Sequence, residues 1–412
     1  MSPTAPASQK WHRQECLCHP ADRLILSANW NNPKKNRWLA VAALLAVTPL
    51  WSAQNQPAPT PAVSVSAAPD AAALNRFPDP DWAIPSDLSE AGTTKEKLAA
   101  YQTWLKEHAG VSWASVIIKH GYLAYSGRGE RSHVRQKNDC GSLLKPLQAS
   151  VLGAALLQGK LKDIDENAFD YWKDPFLTPY ANDRVITFRQ FAQYHDRWNQ
   201  PEPPGTLDYN NSSATAAGYC IAGLFEDIHG PKPAQGIAPI ARREVMEKIH
   251  ADWDLWHWTE DFPKESWQDG PRLVLDSSVY ELAKLGYLWL RQGRWQNTRI
   301  FSESFYRDAV TDWSPDAGDG RFCNYGYWWF INTAQAHLPG VPADAFYAYG
   351  WGEPKRGTLL LVIPSLDTVA ILSMERLSAD GKWDVIKNAR LKSNDGPRPW
   401  ALQVMNVVAT AK

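Results

Sequence analysis

The chain is poor in cysteine: five occur among 412 residues, and Cys16 and Cys18 lie ahead of an apolar stretch that starts at Trp38. Loss of that leader would leave Cys140, Cys220 and Cys323, an odd number that builds no disulfide framework and allows at most one bridge within the chain. No Cys-x-x-Cys and no His-Glu-x-x-His occurs, so neither ligand count nor spacing points to zinc, and no metal or cofactor is expected. No Gly-x-Ser-x-Gly elbow is present, and Asp276 with Ser277-Ser278 has no histidine at a motif spacing, which leaves an α/β-hydrolase triad unsupported. Charge of one sign is missing too. With 43 basic and 44 acidic side chains, the chain has no long-range field to collect polyanions, and nucleic acid is not an expected partner.

What is present is core material. Hydrophobic residues make up 44% of the chain and 21 are tryptophan, which excludes disorder and reads first as buried apolar surface. The length suits one large domain of two lobes or two ordinary domains. Lys34, Lys35 and Arg37 precede the apolar run Trp38 to Leu50, and Ser52 and Ala53 follow it. Positive, apolar, small is the order of an export signal, and the run is shorter than the roughly 20 residues a spanning helix needs. The expectation is an exported, periplasmic protein, anchored in the inner membrane if the segment is not cleaved. Residues 54–75, rich in Pro, Ala and Ser, read as a linker between the leader at 1–53 and a folded domain at 76–412.

Val111 to Ser126 alternates apolar and polar residues around His120-Gly121, the pattern of two antiparallel strands joined by a tight turn. From Ser142 to Leu161, Leu143, Leu144, Leu147, Val151, Ala154 and Leu157 recur at helical intervals, with Pro146 in the early turns and Gly159 as a stop. The stretch from about 162 to 310 looks mainly helical, as at Ser212–Phe225 and Ser278–Gln292. Asn324–Ile331, Ala345–Gly352, Gly357–Ile363 and Thr368–Met374 suit an antiparallel meander, followed by helical spacing from Trp400 to Ala411.

Ser142-Leu143-Leu144-Lys145 sets a hydroxyl and an amine one turn apart on one face of a helix entrance. A serine hydroxyl is a poor nucleophile until a base takes its proton, and a lysine can be that base only where burial or a nearby cation lowers its pKa. About one Ser-x-x-Lys match is expected by chance in a chain of this size, so the tetrad alone is weak. It gains weight from Pro203-Pro204-Gly205-Thr206-Leu207-Asp208-Tyr209-Asn210-Asn211, a rigid turn leading to a phenol and an amide two residues apart. Tyr209 can share a proton with Lys145, and Asn211 can orient Lys145 or a substrate amide; the plain alternative for Tyr209 is a buried ring with a satisfied hydroxyl. In Tyr349-Gly350-Trp351-Gly352 the glycines let backbone N–H groups approach a ligand, as an oxyanion hole requires.

In this order the elements resemble the β-lactamase-related serine hydrolases: class C β-lactamases, low-molecular-weight penicillin-binding proteins, family VIII esterases and 6-aminohexanoate-dimer hydrolases. The resemblance spans about residues 76–410 and includes Gly159-Lys160-Leu161, Val185-Ile186-Thr187-Phe188-Arg189-Gln190 and Gly357 to Asp367. It implies an α+β fold of the serine β-lactamase/transpeptidase type, an antiparallel sheet flanked by helices plus a largely helical lobe. It further implies Ser142 as the acylated nucleophile, Lys145 and Tyr209 as the proton-transfer pair, and Asn211 as a polar positioning residue. The oxyanion donors would be the N–H groups of Ser142 and of a third-motif residue, for which Trp351 is the best match, with Tyr349 and Gly350 beside it.

The third motif departs from the family. Its β-lactamases present Lys-Thr-Gly or Lys-Ser-Gly, whereas this chain offers Ala348-Tyr349-Gly350 or Gly350-Trp351-Gly352. The cation that helps hold a penicillin carboxylate is missing, which speaks for small ester, amide or peptide substrates over β-lactams, unless Lys355 and Arg356 compensate from the following turn. A penicillin-recognising or peptidoglycan-associated module with little turnover, or a true β-lactamase or D,D-peptidase, is the alternative. Trp253, Trp256 and Trp258, with His257 among them, could line an acyl pocket, but core is the favoured reading. Cys140 could bridge to Cys220, although a small buried thiol is the plainer assignment.

Overall fold

Strand β1 (Trp113–Lys119) is buried along its whole length, as a strand covered on both faces must be. It turns at His120-Gly121, both with positive φ (54° and 76°), into β2 (Tyr122–Arg128), the geometry of the tight hairpin expected there. The computed structural model describes residues 75–172, 181–197, 205, 207–225, 236–257, 273–314, 324–352, 356–375 and 396–409. All of them belong to one compact unit, Pro59–Lys412. The leader and most of the linker lie outside the described residues, as do Trp258, Cys323, Lys355 and the Pro203-Pro204 pair. Among the described residues no helix is long and apolar enough to cross a membrane.

Helix α1 (Lys95–His108) precedes the hairpin. After it come the two-residue strand β3 (Asn138–Asp139), a 3-10 turn at Gly141–Leu143 and helix α2 (Leu144–Leu157), which ends before the left-handed Gly159. Helices α3 (Phe188–Gln193), α4 (Asn211–Phe225) and α5 (Ala238–Ala241, continued by a π turn to Met246) follow. The stretch read as mainly helical also carries β4 (Asp254–His257) and β5 (Leu273–Ser277), which form a small antiparallel sheet with β3 in the order β3-β5-β4. Helix α6 (Val279–Leu290), the hairpin β6 (Arg294–Trp295) and β7 (Thr298–Arg299), and helix α7 (Glu303–Ala309) complete that stretch.

The meander then closes the main sheet. Strands β8 (Phe330–Ile331), β9 (Phe346–Gly352), β10 (Arg356–Ile363) and β11 (Thr368–Glu375) give six antiparallel strands in the order β2-β1-β11-β10-β9-β8, and helix α8 (Arg398–Val408) ends the fold. Of the strand expected over Asn324–Ile331, only the last two residues form a strand, and Tyr325 makes an isolated bridge to Phe330. Asn324 and Trp328 have positive φ, and the Gly326 N–H bonds back to Trp329 O, so the aromatic run folds into a turn instead of extending.

Helices cover both faces of the sheet. On one, Trp400 donates to the Tyr101 hydroxyl at 2.7 Å, Tyr101 pairs with Ser115 Oγ at 2.9 Å, and Ser115 donates to Ile371 O at 2.7 Å, which ties α8 and α1 to β1 and β11. On the other, Gly286 lets α6 approach so closely that a Cβ there would stand 2.6 Å from Val369 Cγ1 and 2.7 Å from Leu360 Cδ1. All twelve residues of α6 are buried, and Trp289 on it donates to Ser150 Oγ of α2 at 2.9 Å. Helix α6 therefore lies between the sheet and the helix that carries Lys145.

The turn end of the sheet holds a buried charge network. Asp367, left-handed at the β10–β11 turn, accepts from Arg291 and meets His120 Nδ1 at 3.0 Å; burial opposes its charge, but these two partners hold its carboxyl below the usual range. Lys119, 2% exposed, donates to Leu366 O and is pushed down to about 8, chiefly by burial. A lysine depressed in the fold binds fewer protons than in the unfolded chain between about pH 8 and its ordinary value near 10.5. Stability therefore rises with pH across that window and is lost as pH falls through 8. Lys119→Met should stabilise the fold at pH 7 by about 1–3 kcal/mol, since Leu366 O keeps its bond from Thr368 Oγ1, and should flatten that pH dependence. Urea unfolding at pH 7 and pH 10 measures both effects; an unchanged or lower midpoint at pH 7 would contradict the account.

Candidate active site

Two interlocking segments define the site. The first is Asp139 to Lys145. Asp139 Oδ1 accepts from the Gly141 N–H at 2.7 Å, and Gly141 takes a left-handed φ of 52°, so the chain turns sharply before Ser142 enters the 3-10 turn. The half-buried Ser142 is reachable from solvent, whereas Lys145, one turn on in α2, is only 3% exposed. Lys145 Nζ donates to Ser142 Oγ at 2.7 Å, so the pair expected from the tetrad does meet.

The second is the end of β9, lying backbone against backbone on that turn. A Cβ on Gly350 would stand 1.8 Å from Cys140 O and 2.8 Å from the Ser142 nitrogen; one on Gly352 would stand 1.9 Å from Asp139 O; one on Gly141 would stand 2.2–2.6 Å from Trp351 backbone atoms. Glycine is required at each because no side chain fits between the two backbones. The Gly350-Trp351-Gly352 backbone is therefore packed against the turn that carries Ser142. Tyr349 is 7% exposed, with its ring stacked on Phe330 at 5.4 Å.

Tyr209 and Asn211 arrive from the loop that enters α4. Asn211 begins that helix and accepts from Lys145 Nζ through Oδ1 at 2.9 Å, so the lysine bridges the serine and the amide. The Tyr209 ring lies 4.8 Å from Lys145 Nζ, within cation–π range. The loop is seated on the end of α3: Asp208 N bonds to Tyr194 O and Gly205 N to His195 O, both at 2.8 Å, and the Tyr194 ring packs on Tyr209 at 4.7 Å. Tyr325 and Phe330 complete the aromatic wall around Tyr209, at 6.4 and 6.5 Å. Four residues from two separate segments, Ser142 and Lys145 from one and Tyr209 and Asn211 from the other, thus converge.

Sequence reasoning missed the wall and the Asp139 contact. Tyr194, Tyr325 and Phe330 carry no local signal, because what brings them to Tyr209 is the return of the chain from α3 and from the turn before β8. Asp139-Cys140-Gly141 did carry one: an aspartate two residues before a glycine is the signature of a side chain capping its own turn. Cys140 and Cys220 are free and buried, and burial pushes both thiols up; the buried-thiol assignment holds and the bridge does not form. Trp253 is core at 1% exposure, while Trp256 is exposed on β4 and donates to Asp276 Oδ2 at 2.9 Å. Arg356 is buried with Nη2 3.4 Å from Ser132 Oγ. Among the described residues no group of three or more His, Cys, Asp or Glu side chains could hold a metal ion.

No family model matches the chain, and no curated protein matches it. Solved structures do. A β-lactamase from Sulfitobacter sp. EE-36 superposes with a TM-score of 0.55 at 14% identity, covering 79% of this chain and 100% of that one. A penicillin-binding protein homologue from Caulobacter crescentus gives 0.54 at 11%, covering 78% and 97%. A candidate 6-aminohexanoate-dimer hydrolase from Bacillus anthracis gives 0.53 at 16%, covering 81% and 88%. At such identities the likeness is one of architecture: the chain adopts the α+β fold of the serine β-lactamases and penicillin-binding protein homologues.

Proposed function

We propose that the protein is a serine hydrolase that cleaves a small ester or amide through an acyl-enzyme on Ser142. The observation that carries this reading is the position of Lys145 Nζ, 2.7 Å from Ser142 Oγ and 2.9 Å from Asn211 Oδ1, beside the Tyr209 ring. Ser142 Oγ attacks the substrate carbonyl carbon and its proton passes to the Lys145–Tyr209 pair, which acts as one coupled acid–base unit. The tetrahedral anion rests on the N–H groups of Ser142 and Trp351, which the Gly350 approach keeps together. The pair then returns the proton to the leaving oxygen or nitrogen as that bond breaks. Water then attacks the acyl carbonyl carbon, giving up a proton to the pair; the bond to Ser142 Oγ breaks as the pair returns that proton to Oγ, and the acid leaves. No cofactor takes part in these steps. The leader at 1–53 would deliver the domain to the periplasm.

Ala348 favours neutral carbonyl substrates over penicillins. It stands two residues before Gly350 on β9, in the place where the resembled β-lactamases carry the lysine that meets a carboxylate. A fluorophosphonate probe should add one adduct at Ser142 by intact mass and peptide mapping, and a short p-nitrophenyl ester should turn over faster than any cephalosporin. An unlabelled Ser142 together with saturable binding of cell-wall fragments would replace the enzyme by a binding module. Cephalosporin cleavage outpacing every ester would overturn the reading of Ala348.

A further inference from the structure

We infer that Asp139 is a positioning residue for the oxyanion hole, an inference that rests on the Ser142 reading above. Its Oδ1 accepts from Gly141 N at 2.7 Å, and Gly141 is the left-handed residue that aims the Ser142 backbone. The main chain of Asp139 is fixed independently: it pairs with Asp276 across β3 and β5, and its carbonyl packs on Gly352 at the far end of the third-motif segment. Asp139 thus meets both backbones that would supply the anion donors, its carboxylate on Gly141 and its main-chain carbonyl against Gly352.

The register makes this aspartate costly to keep. Asp139 and Asp276 are direct cross-strand partners, and like charges so placed repel each other. Each carboxylate is met by an N–H, Asp276 by the indole of Trp256 at 2.9 Å and Asp139 by Gly141. A residue without a side-chain acceptor at 139 would relieve the repulsion but lose the bond to the Gly141 N–H. A charge-assisted bond there is shorter and stronger than a neutral one and holds the left-handed turn without reorganising as negative charge grows on the substrate. In this role Asp139 acts on the anion donors through Gly141.

The test uses the full chain. In Asp139→Ala, kcat for a p-nitrophenyl ester should fall about 10- to 100-fold with KM unchanged. The second-order rate of fluorophosphonate labelling should fall by the same factor, since both reactions place negative charge in the hole. Asp139→Asn keeps an acceptor and should restore activity to within about fivefold of wild type. Titrating the reactive serine corrects for any unfolded fraction. If Asp139→Ala does not fold, Asp139→Ser, whose hydroxyl caps the same turn more weakly, should give an intermediate kcat by the same readout. An alanine variant within threefold of wild type, a loss expressed in KM, or an asparagine variant as impaired as alanine would each overturn the inference while leaving the Ser142 mechanism standing. A wild-type protein that neither turns over nor labels would remove the mechanism itself.

Discussion

Ser142→Ala is expected to lower ester turnover by about 10⁴-fold or more while leaving the fold in place. The two halves have separate grounds. Chemically, Ser142 Oγ is the proposed nucleophile, 2.7 Å from Lys145 Nζ, so the variant loses the group to be acylated and keeps only what the anion donors and binding provide. Structurally, Ser142 is half-buried and its hydroxyl meets one lysine that also holds Asn211, so its loss should change stability by about 1 kcal/mol or less. Initial rates with a p-nitrophenyl ester, read beside the thermal melt of the same preparation, separate the outcomes. Full turnover by pure Ser142→Ala would dismantle the mechanism, and a collapsed melt would deprive the rate of meaning.

Gly350→Ala should be nearly as damaging although it removes no functional group. The added methyl would stand 1.8 Å from Cys140 O and 2.8 Å from the Ser142 nitrogen, and both obstacles are backbone, which cannot swing aside as a side chain would. Either β9 or the Ser142 turn must move by an ångström or more, and a displacement of that size at a reacting centre costs on the order of 10²-fold in rate. We expect kcat to fall about 10²- to 10³-fold, with a lower melting temperature because β9 is a strand of the main sheet. Gly159→Ala is the control: its residue is left-handed, which Gly350 is not, but nothing lies within 4 Å of the added methyl, so it should show modest strain and full activity. Equal activity of Gly350→Ala and wild type would mean that the two segments are not the donors of one hole.

The parts of the site that were legible in sequence are those set by local geometry. Ser142 and Lys145 meet because a hydroxyl and an amine three residues apart share a helix face, and His120-Gly121 turns because both residues accept positive φ. Tyr209 and Asn211 stood out as candidates after the Pro-Pro-Gly turn and gained their roles through the resemblance, since nothing in Tyr-x-Asn itself says that a loop 60-odd residues downstream closes on Lys145. The strands β4 and β5 were harder still. Asp254, Leu255 and Trp256 are exposed, buried and exposed in turn, as in a strand, yet a four-residue strand among tryptophans reads equally as a packed helical surface. The run Asn324–Ile331 misled in the opposite sense: its aromatics have strand propensity, but their burial around Tyr209 and Trp289 is bought with left-handed turns at Asn324 and Trp328.

The knot formed by His120, Asp367 and Arg291 has a consequence for how such a chain can change. It fastens the two tight hairpins at one rim of the sheet, whereas Gly350, Gly352, Arg356 and Trp113 lie at the opposite rim. Strand alignment is thus set from the closed rim, and the open rim inherits it without having to enforce it. Lengthening or replacing the loops there would redecorate the crevice above Ser142 without shifting the ladder beneath, so new acyl-group preferences could arise on this scaffold with the nucleophile left where it is.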